Sequence, residues 1–478
     1  MSSAPFIQPF LLGNEWQTTA ARTPVTNPYN GQVIAEVCQA GPTEATQALN
    51  LAMAAFHQLR QLPAYVKATA LENIAGTIRT RQEELAKTMS LEAGKPITDA
   101  RREVGRTIHT FSIASEEAKR IPSDMIPMDI SPGMEHHIGM LQRFPIGPVL
   151  GITPFNFPLN LVAHKVAPCL AAGNPIVIKP APQTPLTACL LGSIILEAGL
   201  PPGSISILPC DNQVAETMVQ DPQLQALSFT GSVAVGWMLK GKAGKKRVLL
   251  ELGGNAGVII EPDAHVEFAV QRCVTGGFSY SGQTCISVQR MYVHDHVYEA
   301  FLEQFLERVK GLSIGNPLED STIIGPLIDE KAASRVEQWI QEATSQGATV
   351  LLGGTRHGAI VTPTVLTDVT PQMKVSCDEL FGPVVTITRY HEFEQALALL
   401  NDSPFGLQAG IFTQDTNKIF QAYRELDVGA VLANEVPTFR ADHMPYGGIK
   451  DSGLGREGVR YAIQELTEPK LLIIHLPR

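Results

Sequence analysis

The chain predicts an α/β fold, and three observations carry that reading. Short β-rich apolar runs at 149–153, 176–178, 205–208, 226–229 and 248–252 alternate with helical stretches at 158–172, 185–198, 213–220 and 232–243. A second stretch of the same texture runs from about 254 to 446. At 478 residues the chain is too long for one ordinary core, so two or three domains are expected. Strands and helices alternating at this spacing imply right-handed crossovers and a parallel sheet, with ligands at the carboxyl ends of the strands.

Taken in order, residues 43–59 and 64–120 read as helical. Thr43 followed by Glu44 is an N-terminal signal, and Leu71, Ile74, Ile78 and Leu85 recur at helical spacing. Gly94 marks a stop, and Pro96 fits the first turn of a further helix. Residues 122–142 change character: two short alternating runs flank Ser131-Pro-Gly-Met134, a hairpin signal. The tail, 471–476, is a final apolar strand. Hairpin and tail would each expose a long apolar edge, and pairing them into a small sheet that joins subunits removes that liability.

Composition narrows the function classes. Hydrophobic residues make up 44% and charged residues 18%, normal for a soluble globular enzyme. A net charge of −10 argues against a nucleic-acid or anionic-membrane surface, though not against a locally basic pocket. No apolar run approaches the ~18 residues of a membrane span, and the N-terminus lacks signal-peptide character. The seven cysteines are odd in number and show no C-x-x-C spacing, which suits a reducing cytosol and small buried hydrophobes. The histidines form no H-x-x-x-H or Cys/His cluster, and His136-His137 falls in the hairpin, so no metal site is expected.

The chemistry centres on Cys285, in Gly276-Gly-Phe-Ser-Tyr-Ser-Gly-Gln-Thr-Cys285, and on Glu251, which ends an apolar run before Gly253-Gly254. A thiol on a Gly-rich turn can be approached closely by a ligand. Thiol and carboxylate together suffice for covalent catalysis followed by hydrolysis. The dinucleotide fingerprint G-x-G-x-x-G is absent. In its place Ser228-Phe-Thr-Gly231-Ser232 closes a strand and opens a helix, either receiving a pyrophosphate on backbone N–H groups or forming a turn capped by Ser232. Asn156, between a strand and a helix, reads as an oxyanion donor or a helix cap. Lys179, at a strand end, reads as a ribose or phosphate contact or a solvated terminus, and Glu379 is ambiguous in the same way.

In chain order, PFNFP, IKP, FTGS, LELGGN, GQTC, ELFGP and PYGGIKDSG resemble the aldehyde dehydrogenase superfamily over nearly the whole length. The resemblance implies a Rossmann-like nucleotide-binding domain (1–121 and 143–252), an α/β catalytic domain (253–446) and an oligomerising β-arm (122–142 and 463–478). It implies Cys285 as nucleophile, Glu251 as general base, and Asn156 with the Cys285 N–H as the oxyanion hole. NAD or NADP would be held by Lys179, Ser232, Glu379 and Phe381. The strand-end residues Ile152, Thr153, Pro154 and Phe155, with Pro182, Gly231 and Leu252, would line the same cleft. The implied reaction adds the thiolate to an aldehyde, moves hydride to the nicotinamide and hydrolyses the thioester. Relatives that pass the acyl group to coenzyme A typically lack the glutamate, so Glu251 favours hydrolysis.

Two departures bear on specificity. Many NAD-preferring relatives place a glutamate three residues after the lysine, where this chain has Pro182, which cannot repel a 2′-phosphate. Asp211 would disfavour that phosphate if it pointed inward, so both cofactors stay open. His164 follows Asn156 by about two helical turns and returns to its face. Arg440 and His443 fall in the segment that lines the substrate entrance in relatives, beside the expected contact Phe157. Three potentially cationic groups suggest a small anionic aldehyde such as a semialdehyde, a lactaldehyde-like compound or glyceraldehyde 3-phosphate. Alternatively, Arg440 pairs with Asp442 or another acid at the surface, His164 packs in its helix, and the enzyme takes neutral aldehydes broadly. Thiol esterase chemistry would be a side activity, and a non-enzymatic role would be expected to lose the thiol or the base. A cytoplasmic homodimer or homotetramer, with no nucleic-acid or membrane partner, completes the expectation.

Overall fold

A computed structural model describes residues 5–477. Its first sheet runs in the order Gly453–Leu454, Arg247–Glu251, Ala226–Thr230, Val149–Ile152, Ile176–Lys179, Ile205–Ile207, Phe10–Leu12, Glu15–Gln17. The five strands between 149 and 251 are parallel, and the three others close the edges antiparallel. Strands such as Val149–Ile152 and Ile176–Lys179 are buried throughout, as helices on both faces require. Successive side chains feed opposite cores: Val149, Ile176 and Ile178 pack with the helices Ala64–Thr80, Ile97–Glu117 and Asn160–Ala172. Leu150, Ile152 and Val177 pack on the other side with Pro42–Leu59 and Asn212–Gln220.

Val149–Ile152 comes first in the chain among the parallel strands yet sits in their middle. The next two strands lie on one side and the later two on the other. The order in which strands are laid down therefore reverses between Val149–Ile152 and the parallel Ala226–Thr230, which opens a crevice at their carboxyl ends.

The second sheet orders Thr349–Leu352, Thr364–Thr367, Val384–Tyr390, Val288–His294, Ala256–Ile260, Gln408–Phe412, Ala430–Ala433, parallel except for its first pair. In the third, His137–Pro145 is flanked by Ser123–Ile126 and by Thr467–His475, all antiparallel. The last strand leaves Leu471, Leu472, Ile473 and Ile474 exposed.

The structure refines several local expectations. The helix read at Thr43 is Pro42–Leu59, with Gly41 as N-cap and the Glu44 carboxylate accepting the Gly41 N–H at 2.8 Å. The 64–120 stretch breaks at Arg81 (φ −106°, ψ 20°) as well as at Gly94, giving Ala64–Thr80, Gln82–Ala93 and Ile97–Glu117. Gly94 adopts φ 66°, and a Cβ there would lie 2.6 Å from the Pro326 ring. Pro96 stands at the N-cap rather than inside the first turn. The tail strand begins at Thr467; before it, Val459–Glu465 is helix whose Ile463 packs in the first sheet's core.

Candidate active site

The crevice of the first sheet meets the amino-terminal edge of the second. Asn156 follows Val149–Ile152, Lys179 ends Ile176–Lys179, Gly231 follows Ala226–Thr230 and Glu251 ends Arg247–Glu251. Cys285 and Glu379 precede Val288–His294 and Val384–Tyr390 in the second sheet.

Glycine-dependent close contacts set the thiol loop. Tyr280 (φ 48°) and Ser281 (φ 53°) are left-handed, as is Gly282 (φ 70°), where a Cβ would meet the Gly382 carbonyl at 2.1 Å. This strain is held by bonds to distant segments: the Tyr280 hydroxyl donates to the Ala93 carbonyl at 3.1 Å, and the Ser281 hydroxyl to that of Gly325 at 2.8 Å. Gly254 lets the Glu251 strand reach the loop, since a Cβ there would sit 2.3 Å from the Cys285 carbonyl. The Cys285 sulfur lies 3.1 Å from the Tyr446 hydroxyl. Burial pushes the thiol up to about 12, against the pull of that hydrogen bond.

Asn156 is buried, and its Nδ2 donates to the Gln283 carbonyl at 2.9 Å, tying the two loops together. Its role as a cap is not taken up: the helix that follows, Asn160–Ala172, receives its capping bonds from Glu103, whose Oε1 accepts the Leu159 and Asn160 N–H groups at 3.0 Å each. Glu103 is itself paired with buried Lys95, whose ammonium stands 3.8 Å above the Phe157 ring and 4.4 Å above the Tyr280 ring. One buried ion pair thus braces the asparagine loop and the thiol loop.

Glu251 is buried, and its Oε2 has no hydrogen-bond partner among the described residues. Burial, with the nearby Glu457 carboxylate, holds Glu251 well above the usual carboxylate range. Gly447 keeps space open beside it, because a Cβ there would approach its Oε1 to 3.0 Å. A buried carboxylate oxygen left without a partner is costly unless a ligand or water uses it.

The remaining cleft residues are placed as follows. Glu379 accepts the Gly254 N–H at 3.0 Å, and burial raises its carboxyl to about 7. Phe381 is left-handed (φ 55°) and meets Phe155 edge-on at 5.8 Å. Lys179 is buried beside Cys210 and Asp211, with its amine lowered by desolvation. Ile152, Thr153 and Leu252 are buried, Pro154 is half-buried and Pro182 is exposed. Ser232 holds the N-cap position of Val233–Lys242 but its side chain makes no capping bond, while the Gly231 N–H goes to the Glu251 carbonyl at 3.1 Å. Asp211 is committed: its carboxylate caps Asn212–Gln220 by accepting the Val214 N–H at 2.8 Å. The fit to a dinucleotide rests on a crevice at the sheet's reversal point, a helix start with an unspent serine hydroxyl, and a lysine at the neighbouring strand end.

The expected substrate cations are rearranged. The Arg440 side chain is only 7% exposed and donates to Glu457 at 2.9 Å, not to Asp442. His164 sits 2.9 Å from Asp442, and burial lowers its imidazole so that the neutral form is favoured. His443 is exposed. Asp442 belongs instead to Arg106, which grips it with two nitrogens at 2.7 and 3.2 Å and stands 6.0 Å from the Phe157 ring. These partners hold Asp442 far below the usual range. Sequence reasoning missed Arg106, Lys165, Glu457, the Lys95–Glu103 pair and the phenol of Tyr446. Tyr446 sat in plain view within the PYGG run, whereas the others carry no signal along the chain.

Among the described residues no group of three or more potential metal ligands gathers, and no helix is long and apolar enough to cross a membrane.

A strained thiol loop, a tethered amide and an unpartnered carboxylate at a nucleotide-type crevice define the class, and the family model agrees: residues 16–472 match the aldehyde dehydrogenase family, to which the chain belongs. It is an NAD(P)-dependent oxidoreductase acting on aldehydes. More particularly, the chain is 42% identical over 466 residues to a 3-sulfolactaldehyde dehydrogenase of Priestia aryabhattai, covering 97% of each. It superposes on aldehyde dehydrogenase 21 of Physcomitrella patens, solved with the reaction product succinate, at a TM-score of 0.97 and 44% identity, covering 99% of each chain. The glyceraldehyde-3-phosphate dehydrogenase GapN of Methanocaldococcus jannaschii, solved with NADP, gives a TM-score of 0.92 and 38% identity over 96% of this chain and 100% of that one. Such relatives place this enzyme among oxidisers of small aldehydes.

Proposed function

We propose that the enzyme oxidises a small anionic aldehyde to its carboxylic acid through a covalent adduct on Cys285, and that Glu251 activates the water that releases the product. The reading is carried by the unpartnered Glu251 Oε2, a buried base facing no protein donor in the strand that abuts the thiol loop.

The Cys285 thiol gives up its proton to solvent water, and the thiolate adds to the carbonyl carbon. The second Nδ2 hydrogen of Asn156 and the Cys285 N–H then stabilise the alkoxide that forms. An aldehyde has no leaving group, so the adduct on sulfur is what makes loss of hydride feasible. The hydride acceptor would be supplied by the nicotinamide when bound. Glu251, as the carboxylate, removes a proton from water, the resulting hydroxide attacks the thioester, and sulfur leaves as thiolate. Lys179, Ser232 and Glu379 would hold the cofactor. Pro182 and the committed Asp211 set no carboxylate against a 2′-phosphate, which favours acceptance of NADP beside NAD.

Charge supports the anionic substrate. In one largely buried cluster three basic side chains, Arg106, Lys165 and Arg440, share two carboxylates, Asp442 and Glu457. A surplus positive charge remains for a substrate carboxylate, phosphate or sulfonate. The names of the relatives point the same way, to sulfolactaldehyde, succinate and glyceraldehyde 3-phosphate. The opposing reading, broad use of neutral aldehydes, draws support from the fact that Arg440 already has its own acid partner.

The exposed apolar edge of Thr467–His475 fits a second copy of the chain, giving a homodimer or homotetramer, and seven free thiols fit a reducing cytoplasm. Reduced-nicotinamide absorbance, followed with NAD and NADP across matched anionic and neutral aldehydes of equal length, tests the proposal. An advantage in kcat/KM for the anionic series is expected; equal rates across the two series contradict it.

A further inference from the structure

We propose that Tyr446 is a catalytic residue of this enzyme, its phenol acting as the hydrogen-bond donor that stabilises the Cys285 thiolate. The inference rests on Cys285 being the nucleophile.

The hydroxyl lies 3.1 Å from the Cys285 sulfur, and in the neutral pair either atom can donate. Ionisation of the thiol removes that ambiguity, since a thiolate has no proton and only the phenol can donate. A thiol is a weak acceptor and a thiolate a strong one, so the bond favours the charged form by much more than the neutral one. The phenol keeps its own proton, because burial and the adjacent sulfur hold it well above the usual tyrosine range.

The surroundings make this donor the principal support for the anion. Cys285 is faced by Tyr446, Glu379, Arg440 and Glu251; two of these are carboxyl groups that oppose a thiolate. The one cation, Arg440, stands behind the tyrosine, its guanidinium carbon 3.7 Å from the ring centroid. A cation on the π-face draws density from the ring and strengthens the O–H as a donor, so the charge of Arg440 reaches sulfur through the phenol. Glu457 completes the unit. It grips Arg440 at 2.9 Å, and its backbone exchanges two hydrogen bonds with that of Tyr446, at 2.7 and 3.0 Å. Ile286 and Leu407 pack around Tyr446 and hold its ring in place.

The same bond serves twice. It lowers the cost of forming the nucleophile, and it receives the sulfur again when the thioester breaks and thiolate leaves. Neither event transfers a proton to or from Tyr446.

The test is the pH dependence of iodoacetamide alkylation at Cys285, read by peptide mass in wild type and in Tyr446→Phe, which keeps the ring and the Arg440 contact. At neutral pH alkylation is expected to be about tenfold slower in Tyr446→Phe, equivalent to a half-point about one pH unit higher. A ring-fluorinated tyrosine at 446, a more acidic donor, is expected to move the half-point down. Superimposable profiles for wild type and Tyr446→Phe, with unchanged far-ultraviolet circular dichroism, overturn the proposal. Aldehyde oxidation that persists in Cys285→Ala would instead overturn the covalent mechanism, and the alkylation profiles report on the hydrogen bond separately.

Discussion

The Asn156 amide donates to the backbone carbonyl of Gln283 at 2.9 Å, two residues before the thiol. A primary amide has two N–H bonds. The carbonyl takes one and fixes the plane of the group, leaving the second aimed by a bond that exists before substrate arrives. Such a preorganised donor pays no reorganisation cost when negative charge develops on the substrate oxygen. Asn156→Ala is therefore expected to lower kcat by about 10²–10³-fold with little change in KM, measured under steady-state conditions with saturating cofactor.

Glu251 is a base only as the carboxylate, and the fold holds it well above the usual range. Its active form is therefore lost as pH falls, starting from a higher pH than an ordinary glutamate would show. The hydrolytic rate should rise with pH on that limb. In Glu251→Gln the limb should vanish, and product release should slow by about 10²–10⁴-fold. Rapid-mixing measurements should show a burst of reduced nicotinamide close to the concentration of active sites, followed by a near halt.

Arg106 holds Asp442 with two nitrogens yet remains partly open to solvent, its side chain 25% exposed, whereas Arg440 is closed off by Glu457 and Tyr446. Arg106 is therefore the cation best able to turn toward a substrate anion. Arg106→Met should raise KM for anionic aldehydes about tenfold or more and leave neutral aldehydes of the same length nearly unchanged, because a charge-assisted hydrogen bond is lost in one case only. Arg440→Met should be broader in effect, depressing rates with every aldehyde, since it leaves Glu457 to Lys165 alone and withdraws the cation behind Tyr446.

The proposed acceptance of NADP beside NAD rests on two carboxylates, one missing and one occupied. Pro182→Glu should shift the NADP-to-NAD ratio of kcat/KM toward NAD by about tenfold, through repulsion of the 2′-phosphate. Asp211 caps a helix, so Asp211→Ala should cost about 1 kcal/mol in thermal or denaturant unfolding and leave that ratio alone.

The sheets were legible in the sequence because their strands are mostly parallel and buried on both faces, leaving continuous apolar runs such as Ile176-Val177-Ile178. The helical breaks were less so. Gly94 announces itself, but Arg81 turns the chain with an ordinary side chain, and no local pattern marks it. At the site, Cys285, Glu251 and Asn156 could be named because each lies at a strand or helix boundary within a short recognisable run. The partners that set their behaviour could not. Lys95 with Glu103, Arg106 with Asp442, and Arg440 with Glu457 are paired across space, and only the folded chain decides which acid each base finds. Arg440 illustrates the limit: Asp442, two residues away, was the nearer acid in sequence, and Glu457 is the one it meets.

The central claim is that the substrate carbon becomes bonded to the sulfur of Cys285 before water releases it. Acid quench of Glu251→Gln after mixing with aldehyde and NADP, followed by intact mass and peptide mapping, measures this directly. An acyl group on the peptide containing Cys285, removable by hydroxylamine and absent from the Cys285→Ala, Glu251→Gln double variant, is predicted. Stoichiometric reduced nicotinamide with no mass added to that peptide would contradict the account.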